Sequence, residues 1–442
     1  MKGMDVDMEK YWHSVRLERD LCHGCTNCLK SCPTQAIRVQ GKKAKVLKDR
    51  CIDCGECIRK CPYHAKKAYT NNLSELKNYK YNVALIAPAF YGQFSKAESI
   101  DEILTAVLKL GFDDVFEVAA GAQAVSKKTK ELLDSGELLK PTISSACPAV
   151  MKLIAIMFPN LISNIIPLNS PMEISATEAR RLAAEKTGIN PSEIGIFFIS
   201  PCAAKMTAIS DRAFVNDTDV DGVLPIKDVV LTMAQQGAGK IEEIKPLSSA
   251  GKSGVLWATT GGEAESSGAK KHIAVSGIQN VIKLLADIDD GKLSDIEFVE
   301  ALACEGGCVG GPLVMENPFV AASRIKRLCH VENDDVDLIS KDANLFWDKP
   351  IIHRPVMNLD PDRKEAMKKA MRLEEIYEVL PKLDCGSCGS PSCRALAEDI
   401  VRGYAVETDC VFLLRERVKE LTKQMIELEG KEQRPDFEEN ED

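Results

Sequence analysis

The sequence predicts an α/β central domain flanked by two cysteine-dense segments. Three observations predict it. From about residue 80 to 375, apolar strand-like runs alternate with helical patterns, as in helices layered on a mainly parallel sheet. Ahead of this stretch, the short Lys-rich segment 1–79 holds eight cysteines. Behind it, residues 376–412 hold four more, and 413–442 read as a helix followed by an acidic tail.

The chain has 442 residues, enough for two or three domains with a sizeable core. Its net charge of −9 argues against a nucleic-acid partner. No apolar run is long enough to span a bilayer. The opening MKGMDVDMEKYWHS has no apolar signal core, so the expectation is a cytoplasmic protein with no membrane attachment.

In the central segment, strand-like runs occupy 82–90, 193–201 and 295–303. Helical patterns cover 99–110, 172–186, 227–236 and 276–287. Cysteine is the informative residue type. Seventeen cysteines in a large chain without an export signal are poor candidates for disulfides. Sixteen fall into four groups of four, and Cys329 is left over.

The first two groups form an internal repeat. CHGCTNCLKSCP (22–33) and CIDCGECIRKCP (51–62) share the spacing C-x2-C-x2-C-x3-C-P, offset by 29 residues. This is the bacterial ferredoxin run, whose fourth cysteine ligates the other cluster. One 4Fe–4S cluster is expected on Cys22, Cys25, Cys28 and Cys61, and a second on Cys51, Cys54, Cys57 and Cys32. Two-residue gaps wrap a loop around three corners of a cubane, and Pro33 and Pro62 turn the chain away. Structural zinc is the rival, but a doubled eight-cysteine array with trailing prolines disfavours it. His23, beside four sufficient thiolates, reads as a surface residue.

The third group is scattered. Cys147 lies in SSACPAV, Cys202 in SPCAAK, and Cys304 and Cys308 in EALACEGGCVGG. The first two follow strand-like runs, which places them at strand ends, where open α/β sheets build sites. Glycines around the C-x3-C pair allow close backbone approach to a cofactor. Four separate buried structural cysteines are the alternative.

These settings resemble the three signature segments of the FeFe-hydrogenases, TSCCP, MPCxxK and ExMACxxGCxxGG, in the same order and behind the same two-cluster module. The resemblance covers about residues 10–330. Ala87-Pro88-Ala89 and Ser170-Pro171 also look like family segments that line the site. The resemblance implies a two-lobed α/β hydrogenase-like domain with the cofactor in the cleft, behind a ferredoxin-like (α+β) module. It further implies the H-cluster, a 4Fe–4S cubane joined through one thiolate to a diiron unit carrying CO, CN and a bridging dithiolate amine. Cys147, Cys202, Cys304 and Cys308 would hold the cubane, Cys308 would be the shared thiolate, and Lys205 would donate to a cyanide. An exposed helix lysine is the alternative for Lys205.

The chain also departs from that pattern. The proton-passing first cysteine of TSCCP is Ala146 here. The methionines of MPC and ExMAC are Ser200 and Leu302, and the next variable position is acidic, Glu305. Where relay carboxylates are expected on a helix, the sequence offers Lys127 and Lys128, with Glu131 as a remnant. Losing a positioned acid–base group costs ~10²–10⁴-fold in rate. Sensory FeFe-hydrogenases of anaerobic bacteria resemble this chain in such replacements and in a further C-terminal cluster, and it looks most like members without a PAS domain.

The fourth group, Cys385, Cys388, Cys393 and Cys410, has the spacing C-x2-C-x4-C-x16-C of a small 4Fe–4S domain. Gly386, Gly389 and Pro391 supply the turns, and a helix over 394–403 returns the chain to the last ligand. Zinc again is the rival. Beyond it, Val411, Leu414, Val418, Leu421, Met425 and Leu428 repeat at three- and four-residue steps, as coiled-coil seams do. An amphipathic helix packed on its own domain is the alternative. Helix and acidic tail together suggest a homodimer or a docking element for a signalling partner. Cys329 with His330 reads as structural or incidental.

The expected function is a low-activity FeFe-hydrogenase, H2 = 2 H⁺ + 2 e⁻, serving as a hydrogen or redox sensor. Four 4Fe–4S clusters would relay its electrons. Two alternatives stand beside it: a catalytic enzyme exchanging electrons with ferredoxin, in which Glu305 or water replaces the relay, and a non-enzymatic electron-transfer or assembly protein without a diiron unit.

Overall fold

The computed structural model describes residues 12–211, 218–238, 241, 243–329 and 337–431. His330, the first eleven residues and most of the acidic tail lie outside the described residues. The chain divides into two compact units, residues 1–21 with 48–356, and residues 22–47 with 357–442. The first cysteine-dense segment therefore splits, its leading repeat falling in one unit and its second repeat in the other.

Strands among the described residues are β1 (Val15–Leu17), β2 (Ile37–Gln40), β3 (Lys43–Val46), β4 (Lys66–Ala68), β5 (Tyr81–Ile86), β6 (Asp114–Glu117), β7 (Thr142–Ile143), β8 (Ile194–Ser200), β9 (Gly222–Pro225), β10 (His272–Ser276) and β11 (Phe298–Leu302). In the larger unit, β6-β5-β8-β9 form one parallel sheet and β10-β11-β7 a second. β1 and β4 pair antiparallel.

The near-continuous apolar runs have a structural reason. Every residue of β8 and of β11 is buried, which requires strands covered on both faces. One core under the four-stranded sheet holds Ile86, Leu104, Phe197 and Ile199; another, on its opposite side, holds Leu85, Ala176, Ile196 and Phe198. The alternation of β8 side chains between these cores is the period-two rule of a strand. Helices fill the crossovers, Ile100–Leu108 after β5, Pro171–Thr187 before β8 and Ile278–Asp289 after β10. Each expected helix is present to within two residues at either end.

In the smaller unit, β2 and β3 pair antiparallel, and helices Arg363–Val379 and Cys393–Val401 pack around Leu373, Ile376, Leu396 and Ala397. The two parts are joined by a buried ion pair. Arg38 on β2 donates to both carboxylate oxygens of Asp399, at 2.5 and 2.9 Å, and Ser390 Oγ donates to the same carboxylate at 2.8 Å. Two planar groups meeting in this bidentate way fix register as well as charge. At the same seam, the Val39 N–H donates to the Gly389 carbonyl at 2.8 Å. Gly389 has φ 84°, and a Cβ there would lie 1.9 Å from the Val39 carbonyl oxygen. Only glycine fits.

Removing one partner of the pair strands the other in an apolar setting. Asp399→Ala should cost about 3–5 kcal/mol, read as a lower thermal unfolding midpoint by circular dichroism, with Asp399→Asn losing less because it keeps an acceptor.

Candidate functional site

The larger unit contains an apolar cavity of about 110 Å³ lined by all four scattered cysteines, Cys147, Cys202, Cys304 and Cys308. Each arrives from the C-terminal end of a parallel strand. Cys147 ends the loop after β7 and opens helix Pro148–Met157; Cys202 follows β8; Cys304 and Cys308 follow β11. Two sheets therefore feed one pocket, as the strand-end rule for α/β sites anticipates.

The thiols are close enough to sense one another. Burial pushes Cys202 up to about 12, with Cys304 and Cys147 adding to the rise. Burial likewise raises Cys147, with Cys304 adding to it, and Cys308, with Cys304, Cys147 and Cys202 adding to it. Cys308 has open surface, but that surface faces the cavity. Thiols so placed do not ionise unaided; a metal that supplies positive charge deprotonates them. A cubane asks for four sulfurs converging from several directions, and this donor set fits that requirement.

The remaining expected residues fall around these sulfurs. Ala87, Pro88, Ala146, Pro171 and Lys205 line the cavity. Ser170 stands behind Pro171 as the N-cap of its helix and is not part of the wall. Burial lowers the Lys205 pKa, opposed by Cys202, then Glu173, Cys308 and Cys147. Glu173 is itself buried, accepting from Thr218 Oγ1 at 2.7 Å with its other oxygen unpartnered among the described residues. Lys205 thus lines the site and is not an exposed helix lysine.

Other residues singled out in the sequence fall at or away from the wall as follows. The glycines after Cys304 serve protein backbone as much as a guest: a Cβ on Gly311 would lie 2.2 Å from the Pro201 carbonyl oxygen, next to Cys202. Ser200 does not line the cavity; its hydroxyl accepts from the Cys202 N–H at 3.1 Å and braces that turn. Glu305 is exposed and off the wall, whereas Glu263, in the run TTGGEAES, lines it and is buried. Lys127 pairs with Asp337 and Lys128 with Glu131 at the surface. Cys329 caps helix Pro318–Leu328, away from the cavity.

One residue went unnoticed in the sequence. Arg59, at the end of the helical turn Glu56–Arg59, donates to the Gly310 carbonyl at 2.8 Å and to the Cys304 thiol. Burial works against its charge, and Cys304 and Glu56 outweigh that, holding the guanidinium firmly protonated. Its second nitrogen reaches the Cys54 carbonyl at 3.4 Å. The motif cysteines of the second repeat and the cavity thus share one cation.

Both repeats of the cysteine-dense segment carry the same backbone signature. Left-handed residues stand at Gly24, Thr26 and Gln35, and again 29 positions on at Asp53, Gly55 and His64. Four of these six are not glycine, so the loops hold strain that the surroundings maintain. Such turns aim successive N–H groups into one concavity, an anion-binding arrangement. His23 is exposed. In the smaller unit, Cys388 senses Cys385 and Cys410, and Cys388, Cys393 and Cys410 pack in one core.

Family models match the segments that carry these cysteines. The family model for the iron-only hydrogenase large subunit, C-terminal domain, matches residues 80–271 and 263–312, more than half of the chain. This chain belongs to the iron-only hydrogenase family. A 4Fe–4S dicluster domain model matches residues 14–62 of this hydrogenase-family chain, and an Fe–S cluster domain model matches 380–412. It is 24% identical to iron hydrogenase 1 of Clostridium pasteurianum over 48% of this chain and 44% of that one. It is 25% identical to the periplasmic [Fe] hydrogenase large subunit of Nitratidesulfovibrio vulgaris over 71% of this chain and 89% of that one. The chain therefore spans less than half the length of the Clostridium relative. A solved variant of the FeFe-hydrogenase of Chlamydomonas reinhardtii is 19% identical, covering 58% of this chain and 87% of that one, with a TM-score of 0.45. No helix among the described residues is long and apolar enough to cross a membrane.

Substituting cavity sulfurs separates ligands from bystanders. After anaerobic reconstitution, Cys147→Ser and Cys202→Ser should each lower bound iron by one cluster's worth, and Cys329→Ser should leave it unchanged, by iron and sulfide assay.

Proposed function

We propose that this chain is a low-turnover FeFe-hydrogenase, H2 = 2 H⁺ + 2 e⁻, acting as a hydrogen or redox sensor of the branch without a PAS domain. The observation that carries the reading is Ala146 on the cavity wall, where the family pattern has a proton-passing thiol. A sensor needs occupancy of its site, not flux, so slow proton traffic is tolerable.

Cys147, Cys202, Cys304 and Cys308 would hold the cubane, with Cys308 shared with the diiron unit. When bound, that group supplies the site for splitting H2 and the first electron acceptor. The chain's own residues bind and orient it. Lys205 presents a cation to an anionic ligand in a dry pocket, where such a hydrogen bond is strong. Arg59 places a second cation on the Cys304 side, beside the second cysteine repeat, and so favours reduction of a cluster there. Ala87, Pro88 and Pro171 keep the wall apolar and exclude water.

Around this site the reading keeps four segments: 1–79 with two clusters, a two-lobed 80–375, 376–412 with a fourth cluster on Cys385, Cys388, Cys393 and Cys410, and the terminal helix and tail. The cysteines of these segments would hold clusters that supply electron transfer to or from a redox carrier such as ferredoxin, or a signalling partner. The seam Val411, Leu414, Val418, Leu421, Met425 and Leu428 is exposed along helix Val411–Lys431. Its alternating three- and four-residue steps support pairing with a second copy. A working catalytic enzyme is the second reading, favoured by the Glu263 carboxyl at the cavity.

Infrared bands of CO and CN after maturation test the diiron unit, and their absence would leave an electron-transfer or assembly protein. Hydrogen uptake should be slow in the parent chain and rise ~10²–10⁴-fold in Ala146→Cys; parent turnover at ordinary hydrogenase rates would sink the sensor reading. For the seam, Leu421→Glu should convert a dimer to a monomer in sedimentation.

A further inference from the structure

The first cysteine repeat and the C-terminal cysteine loop lie in the same compact unit, and Lys30 ties them together. Lys30 stands on the short helix Asn27–Ser31, which also carries Cys28. Its ammonium donates to the carbonyl of Asp384 and, at 3.2 Å, to the carbonyl of Pro391. These two carbonyls bracket Cys385 and Cys388 in the chain. Asp384 adds a second hold, because its carboxylate accepts from the Cys393 N–H at 2.6 Å. An ammonium offers three donors and no acceptor, so one lysine can pin both ends of the loop at once.

The backbone packs to the same effect. Gly386, between Cys385 and Cys388, has φ 78°, and a Cβ there would lie 2.9 Å from Lys30 Cε and 3.5 Å from Leu29 Cδ2. Leu29 follows Cys28 and is fully buried. One position beyond Cys388, Gly389 accepts the Val39 N–H through its carbonyl. The C-x2-C loop of the C-terminal segment therefore rests on the helical turn of the first repeat, with a glycine at the contact to let it close.

We propose that Lys30 is a positioning residue that seats the C-terminal 4Fe–4S group against the first-repeat cluster, making these two direct partners in electron exchange. This rests on the reading of a fourth cluster on Cys385, Cys388, Cys393 and Cys410. Electron tunnelling decays steeply with separation, so loops in contact decide which clusters exchange. The step moves one electron from the reduced cluster to the oxidised one; no bond breaks and no proton moves. A low-potential one-electron carrier supplies the electron, and dithionite stands in for it in the test. A cluster on four thiolates gains negative charge on reduction, so a fixed cation beside it favours the reduced form. The C-terminal domain is then one end of the relay, reached through the first repeat.

The test uses the full chain, its clusters reconstituted anaerobically without maturation, so that hydrogen turnover plays no part. In the dithionite-reduced parent, the electron paramagnetic resonance signal of the C-terminal cluster should be broadened by spin–spin coupling. Cys25→Ser, lacking the first-repeat cluster, should sharpen it, and the reciprocal variant Cys388→Ser should sharpen the first-repeat signal. Signals as sharp in the parent as in these variants would overturn the inference. Lys30→Met should keep the parent's iron and sulfide. It should lower the reduction equilibrium constant of the C-terminal cluster ~3-fold, about 28 mV for a one-electron couple, with Lys30→Arg close to the parent. An unshifted potential in Lys30→Met would overturn the assignment of Lys30. Zinc in place of iron on the C-terminal cysteines would sink the fourth-cluster reading and the inference with it. An iron cluster there without coupling would overturn the inference alone.

Discussion

Four sulfurs crowded into one dry pocket set the terms for the rest of the structure. As thiols they are neutral and tolerable. As thiolates they would repel one another in a medium that screens charge poorly, and burial drives the pKa values of Cys147, Cys202 and Cys308 upward. Only a cationic guest makes the ionised set favourable. The surroundings are consistent with that demand. Lys205 lines the cavity and the Arg59 guanidinium reaches Cys304. Gly311 lets the segment carrying Cys304 and Cys308 close onto the turn carrying Cys202, and Ser200 braces that same turn.

The strand ends explain how residues more than a hundred positions apart meet. Parallel strands all point their C-terminal ends the same way, so loops after β7, β8 and β11 converge without any of them being long. The apolar character of these strands is what made them readable in the sequence, because burial on both faces leaves no polar alternation to confuse the pattern. Cysteine spacing was equally legible, since a cubane loop has little freedom in its gaps. Cys147 and Cys202 were harder, each a lone cysteine, and depended on their position at strand ends and on family resemblance.

What was not legible has a common cause. Arg38 and Asp399 lie 361 residues apart, and neither sits in a motif. Arg59 looked like one more basic residue in a Lys- and Arg-bearing loop. Glu305 attracted notice because it stands next to a cysteine, yet its side chain leaves the cavity. Glu263 stands in a glycine- and serine-containing stretch with no period to mark a face. Direction, not spacing, decides whether such a side chain enters a pocket, and direction comes only with tertiary packing. The split of the first cysteine-dense segment between two compact units was hidden for the same reason.

Proton and electron traffic in this site are held to different standards. On the electron side, Arg59 touches a cavity thiol and the second cysteine repeat at once, and a fixed cation there needs no rearrangement. On the proton side, the carboxyl that lines the cavity is backed by another buried carboxyl. Burial, then that neighbour, holds the Glu263 carboxyl well above the usual carboxylate range. A thiol on the wall would carry no such neighbour. The pairing of Glu263 with Glu300 therefore disfavours a negative charge on that part of the wall.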